Sequence, residues 1–208
     1  MVTVGVNPVI VEFDLAVGRI RCPKCSGRLF GWGWARRREV HGVGCLRPRR
    51  GRCQVCKSTH VLLPVSVLSR RAYSAQIVVE ALTLRARGWG HRKIGEVLGV
   101  PVTTVRGWIR RMGTRLDEVR AVFRVLGVQV LTGRPAPRED DGRQSLWQQM
   151  INALHDVTKG LAAQLGWGGG VVMLEMAQVA AALSGGHLLS PKWPGVVLAP
   201  FQHELALM

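Results

Sequence analysis

A chain of 208 residues with 47 % hydrophobic content is long enough for one medium domain or two small ones and carries enough apolar surface for real cores, which excludes global disorder. The formal net charge of +16 is uneven: residues 19 to 124 hold 24 Lys and Arg against five acids, whereas residues 144 to 208 hold two against three. A surplus gathered in this way repels itself unless a polyanion neutralises it, and a phosphate backbone is the commonest such partner; a generally basic surface in an arginine-rich proteome is the plainer alternative.

The chain opens on an apolar, acidic segment, residues 1 to 18, in which "PVIVEF" reads as a strand. Two Cys-x-x-Cys pairs follow, Cys22 with Cys25 and Cys53 with Cys56, separated by 27 residues. Each pair supplies two soft ligands from one tight turn, and each is followed by a small polar turn ("SGR", "KST") and an apolar run ("LFGWGW", "HVLLP"). That layout predicts one structural zinc ion held by all four thiolates in a zinc ribbon, with a longer hairpin in "WGWARRREVHGVGCLRPRRGR" filling the gap. Redox exchange is the rival, but two pairs without a βαβ unit speak against it. Any of Cys45, His41 and His60 could replace a cysteine as ligand, but beside a complete four-cysteine set they are read as packing or surface residues. With five cysteines, close pairing and no secretory signal, a disulfide scaffold fits poorly and a reducing cytoplasm fits better.

From Ser74 to Met112 the periodicity turns helical. Ile77, Ala81 and Leu84 form one stripe, "RGWG" interrupts it, and Ile94, Val97 and Leu98 form a second. In "LGVP", Gly99 takes the left-handed backbone that closes a helix and Pro101 starts the next one. The third helix is expected to bury Val105, Trp108 and Ile109 and to present Thr103, Thr104, Arg106 and Arg110 on its other face. This predicts a helix-turn-helix whose later helix enters the major groove, with Arg106 and Arg110 reading bases and Arg92, Lys93, Arg111 and Arg115 on phosphates. An ordinary three-helix bundle with a solvated basic face is the alternative. Glu96 is a candidate salt-bridge partner, Trp89 a turn anchor or a stacking residue, and Gly107 a weak point inside the reading helix.

"TGRPAPREDDGRQ", residues 132 to 144, reads as a solvated linker. Beyond it, "SLWQQMINALHDVTKGLAAQLG" carries Leu146, Met150, Leu154 and Leu161 near one stripe, and "VVMLEMAQVAAALSGG" ends in a glycine stop. The second run has 13 apolar-rich residues at 171 to 183, interrupted by Glu175 and Gln178, well short of the roughly 20 that a bilayer crossing needs. This neutral tail is expected to form a core of its own, to dock on the preceding half, to pair with a second copy, or to seat a partner protein. Met173 and Met176 read as core filler, and Trp147, Trp167 and Trp193 as core or interface anchors.

The run "RCQVCKSTHVLLP…RRAYS…GHRKIGEVLGVPVTTVRGWIRR", preceded by "IRCPKC", resembles actinobacterial proteins grouped as a domain of unknown function with a zinc ribbon and a helix-turn-helix, similar in turn to the DNA-binding front ends of insertion-sequence transposases. The resemblance covers roughly residues 18 to 115, with a weaker signature in "AALSGGHLLSP". It implies DNA binding in a mobile-element context beside a separately encoded recombinase or transposase. No catalytic site is expected in this chain, because the acids after Arg124 are few, three of them fall in the linker, and the tail leaves no room for a ribonuclease-H-like sheet.

The expected architecture is mainly α with a small β zinc ribbon: a ribbon with an N-terminal strand over residues 1–66, a helix-turn-helix over 67–131, a linker over 132–144 and a helical region over 145–208. The expected function is that of a cytoplasmic, nucleoid-associated protein binding double-stranded DNA without catalysis. An autonomous repressor dimerising through the C-terminal region and an RNA-binding ribbon protein are the alternatives.

Overall fold

A computed structural model describes residues 1–130, 144–164, 175–191 and 193. The described residues divide into two compact units, one of Met1–Ala75 with Ala181–Leu188 and residue 193, the other of those between Gln76 and Ala180 with residues 189–191.

The first unit is built on strands β1 (Val2–Val4), β2 (Leu29–Trp34), β5 (Arg49–Cys53) and β6 (Thr59–Pro64), in the spatial order β1-β6-β5-β2. Strands β2, β5 and β6 form an antiparallel meander, and β1 joins β6 in parallel. The long gap between the cysteine pairs holds a separate hairpin of β3 (Arg38–Val40) and β4 (Gly44–Leu46), as its alternation and glycines predict. Gly42 and Gly44, both at positive φ, turn it.

Residues 8 to 16 are a helix, α1 (Pro8–Ala16), where the sequence reading expects a strand. The β-formers Val9, Ile10 and Val11 are overruled by a start signal: the Asn7 side chain accepts the Val9 N–H at 3.0 Å, and Pro8 stands where a missing donor costs nothing. Helix α1 buries Val11 and Leu15 in a core with Val4, Ile20, Leu29 and Leu62, and the cysteines Cys22 and Cys53 belong to the same cluster. Each fully buried Leu there contributes on the order of 1.5 to 3 kcal/mol. A second cluster, Val40, Leu63 and Val67, packs beneath the β3–β4 hairpin. The segment 181–188 belongs to this unit, and the Gly186 carbonyl accepts the Ser69 N–H at 2.7 Å.

The second unit is helical: α2 (Ala75–Ala86), α3 (His91–Leu98), α4 (Val102–Gly113), α5 (Leu116–Val130), α6 (Leu146–Gln164) and the first turns of α7 (Met176–Leu183). Helix α5 extends past the three helices expected from the periodicity and lies against α6, where the side chain of Val157 meets Gly127. Asp117 and Glu118 in its first turn oppose the positive end of its dipole. Helix α6 begins with a capping box: the Ser145 Oγ accepts the Gln148 N–H, and the Gln148 Oε1 accepts the Ser145 N–H. Its inner face is Met150, Leu154, Val157 and Leu161, while Leu146, expected on that stripe, is 40 % exposed. Most of the expected linker lies outside the described residues, as do Met173, Trp167 and most of the extended stretch after residue 191.

No helix among the described residues is long and apolar enough to cross a membrane.

Candidate metal centre and basic helix face

Both cysteine pairs fold as the same knuckle. The Cys22 N–H donates to the Gly27 carbonyl at 2.8 Å, and the Cys53 N–H donates to the Ser58 carbonyl at 2.9 Å. In each, the residue after the second cysteine takes the left-handed conformation, Ser26 at φ 57° and Lys57 at φ 58°. This turn aims the next amides at sulfur: Gly27 N–H at Cys25, and Ser58, through its amide and hydroxyl, at Cys56. No composition rule flags Ser26 or Lys57, because neither residue type prefers that backbone.

The knuckles bring all four sulfurs within 4.8 Å of one another. Cys22 Sγ stands 3.6 Å from Cys56 Sγ, and Cys25 Sγ stands 3.4 Å from Cys53 Sγ. A regular tetrahedron of ~2.3 Å metal–sulfur bonds has edges of about 3.8 Å, so the set fits a four-coordinate metal ion, whereas a disulfide needs about 2.05 Å. All five cysteines are free. The crowded thiols push each other's protons in opposite directions. Hydrogen bonds from the Ser58 hydroxyl and amide hold Cys56 down at about 6. At Cys25 the Gly27 amide pulls downward, but the neighbouring sulfurs of Cys53, Cys56 and Cys22, with burial, carry it up to about 11. Four thiols that cannot all ionise alone are what a divalent cation resolves.

Beside the cluster, the buried His60 places Nε2 3.3 Å from Cys22 Sγ. Burial, reinforced by nearby positive charge, lowers its pKa, so the ring stays neutral and can donate Nε2–H to that sulfur. His60 thus stands behind a ligand, outside the sulfur set. His41 packs edge-on against Tyr73 with ring centroids 5.3 Å apart, and Cys45 is exposed on β4. Among the described residues, the four cysteines are the one cluster able to hold a metal.

The second candidate surface lies on α3 and α4. Gly99, at φ 62°, closes α3, and Pro101 is the N-cap of α4, so that helix starts at Val102, one residue later than the sequence suggests. The two helices approach closely, since a Cβ on Gly95 would stand 2.8 Å from the Val100 carbonyl oxygen. Ile94, Val100, Val105, Trp108 and Met112 are buried. Two expectations are corrected here. Val97 is 58 % exposed, because the packed side of α3 runs through Ile94, Gly95 and Leu98 and leaves Val97 at its edge, and Ile109 is only half-buried, with Met112 taking the inner position.

The side chains expected to meet DNA lie as follows. Thr103, Arg106, Arg110 and Arg111 on α4 are exposed and Thr104 is half-buried; Arg92 and Lys93 on α3 are exposed. Arg92, Arg106, Arg110 and Arg111 have no ion pair or side-chain hydrogen bond among the described residues, and neither has Glu96. Lys93 Nζ sits 4.1 Å from the centroid of Trp89, whose carbonyl accepts from Arg85. Arg115 is placed differently from the rest. Its guanidinium grips the Glu118 carboxylate at 2.9 and 3.0 Å and donates to the Ser190 carbonyl, which makes it a structural tie within the second unit.

A family model described as a domain of unknown function (DUF6431) matches residues 22–96. The match begins on the first cysteine of the cluster, contains all four, and ends inside α3. No curated protein and no solved structure matches the chain.

Proposed function

We propose that this chain is a DNA-binding protein in which α3 and α4 act as a helix-turn-helix on duplex DNA, and in which Cys22, Cys25, Cys53 and Cys56 hold one zinc ion that shapes a ribbon. The observation that carries the reading is the exposed basic face of α4: Thr103, Arg106 and Arg110 stand on one side of the helix, flanked by Arg111 and by Arg92 and Lys93 of α3, while Val105, Trp108 and Met112 fill the other side. In such a motif the later helix enters the major groove, where Arg pairs with guanine edges and Thr meets a thymine methyl or a phosphate.

Zinc is the favoured metal because four thiolates in a tetrahedron suit it, and a closed sulfur set points to a structural role. The sulfurs hold the ion, the Gly27 and Ser58 amides and His60 orient them, and the ion joins the two knuckles across the sheet. The local charge supports a polyanionic partner, with 24 cations against five acids over residues 19 to 124. Two modules on one chain raise each other's effective concentration at a shared target. The resemblance adds a mobile-element setting, with any strand chemistry left to a separate recombinase.

Selection of bound duplexes from a random pool tests the reading, followed by affinity measurements on the recovered motif. Arg106→Ala should relax base preference by about 1 to 3 kcal/mol at its position. An enriched motif at element ends supports the mobile-element setting, and a palindrome with half-sites one helical turn apart points to a repressor instead. Recovery of no motif, with binding equal on RNA and DNA duplexes, would remove the groove-reading assignment.

A further inference from the structure

The outer face of the ribbon sheet is left unused by the reading above. Phe30 and Trp32 alternate with Gly31 along β2 and lie on the side of the sheet away from α1. The pairing slips between Gly31 and Trp34, where Gly33 adopts φ 73°, and this bulge swings Trp34 to the α1 side, over Arg49 and its partner Glu12. Trp32 therefore stands as the exposed indole of the outer face, with 46 % of its surface open. The Arg52 guanidinium lies 4.5 Å from its centroid, and Phe30 meets it edge-on with centroids 6.4 Å apart. Arg50, two residues from Arg52 and on the same face of β5, has no ion pair or side-chain hydrogen bond among the described residues. Residues 19 to 63 carry 12 Lys and Arg against a single acid, Glu39.

An open indole framed by guanidinium groups on a strongly basic sheet is a surface for bases and phosphates together. Sheets that hold single strands combine aromatic stacking with backbone-tracking cations. A base inside a duplex offers no free π-face, so the fitting occupant is unpaired. We propose that this face holds single-stranded DNA, with a base stacked on Trp32 and the adjacent phosphates held by Arg50 and Arg52. The choice of DNA as the polymer rests on the duplex-binding reading above; the stacking geometry does not.

The test measures affinities of the zinc-loaded chain by fluorescence anisotropy, using labelled oligo-dT of about 20 nucleotides, oligo-rU of the same length and a duplex of similar length that carries the selected motif. Trp32→Ala should weaken oligo-dT binding about tenfold while changing duplex binding less than about twofold, and Trp32→Phe should restore most of the loss. Arg106→Ala should show the opposite pattern. Zinc content and melting temperature establish that each variant is folded; if Trp32→Ala is not, Trp32→Leu and Arg50→Ala carry the same comparison. Unchanged oligo-dT binding in the folded Ala or Leu variants, or equal losses on both ligands, overturns the stacking site. Preference for oligo-rU by tenfold or more overturns the choice of DNA. An Arg106→Ala variant that binds duplex normally sinks the groove-reading helix alone and leaves the Trp32 result standing.

Discussion

At the scale of single residues, Gly27 shows how tightly the cysteine knuckles are built. A Cβ there would stand 2.9 Å from Cys53 Sγ and 2.8 Å from Val55 Cγ2, so any larger residue pushes on a ligand sulfur. Gly27→Ala should therefore lower metal affinity by on the order of tenfold, as losses behind a ligand do, and chelator competition reads this directly. Cys45→Ser, on an exposed strand outside the cluster, should leave the metal content unchanged. Arg115 was legible as a cation and illegible as a tie, because its partner Ser190 lies far along the chain. Arg115→Ala should cost about 1 to 3 kcal/mol of stability, measured by denaturant unfolding near neutral pH. The Arg115 guanidinium lowers the Glu118 carboxyl pKa, so the pair's contribution is present above the ordinary carboxylate range and is lost as pH falls through the depressed folded value. The penalty of Arg115→Ala should accordingly shrink in acid.

Among the elements, two glycines twelve residues apart, one on α3 and one on α4, predict opposite signs. Gly95 sits where α3 meets the turn before α4, and its Cβ would strike the backbone oxygen of Val100, which cannot give way. Gly95→Val should destabilise by roughly 1 to 3 kcal/mol. Gly107, inside α4, would meet only the tip of Arg111, a flexible side chain. Gly107→Ala should stabilise by about 0.5 to 1 kcal/mol, read as a rise in melting temperature. The helix pair was legible in the sequence because Gly99, Pro101 and the spacing of Ile94, Val105 and Trp108 all speak locally. Helix α1 was misread because "PVIVEF" favours a strand by composition, whereas the decisive information lay in the Asn7–Pro8 dipeptide just before it. The cysteine cluster was legible from spacing alone. The position of Trp34 was not, since one extra residue in a strand reverses which side a side chain takes.

For the whole molecule, the uneven charge is the feature composition announced and the fold distributes over both units. If phosphates neutralise it, log affinity for duplex should fall linearly with log salt at about −0.9 per phosphate contacted, and a flat dependence would exclude the electrostatic part of the reading. Removal of metal should act unevenly. Cys22 and Cys53 are part of the apolar core of the first unit, so chelation should melt its sheet, while most of the helical circular dichroism from α2 to α6 persists.

Within each knuckle the leading cysteine is buried and the trailing one is exposed, so the centre has an inner and an outer half. The inner sulfurs, Cys22 and Cys53, are shielded by protein, whereas Cys25 and Cys56 face solvent. Exchange of the ion, attack by a chelator and damage by peroxide should therefore all enter from one direction, through Cys25 and Cys56. Alkylation of the folded, metal-loaded chain should reach Cys25 and Cys56 well before the buried Cys22 and Cys53.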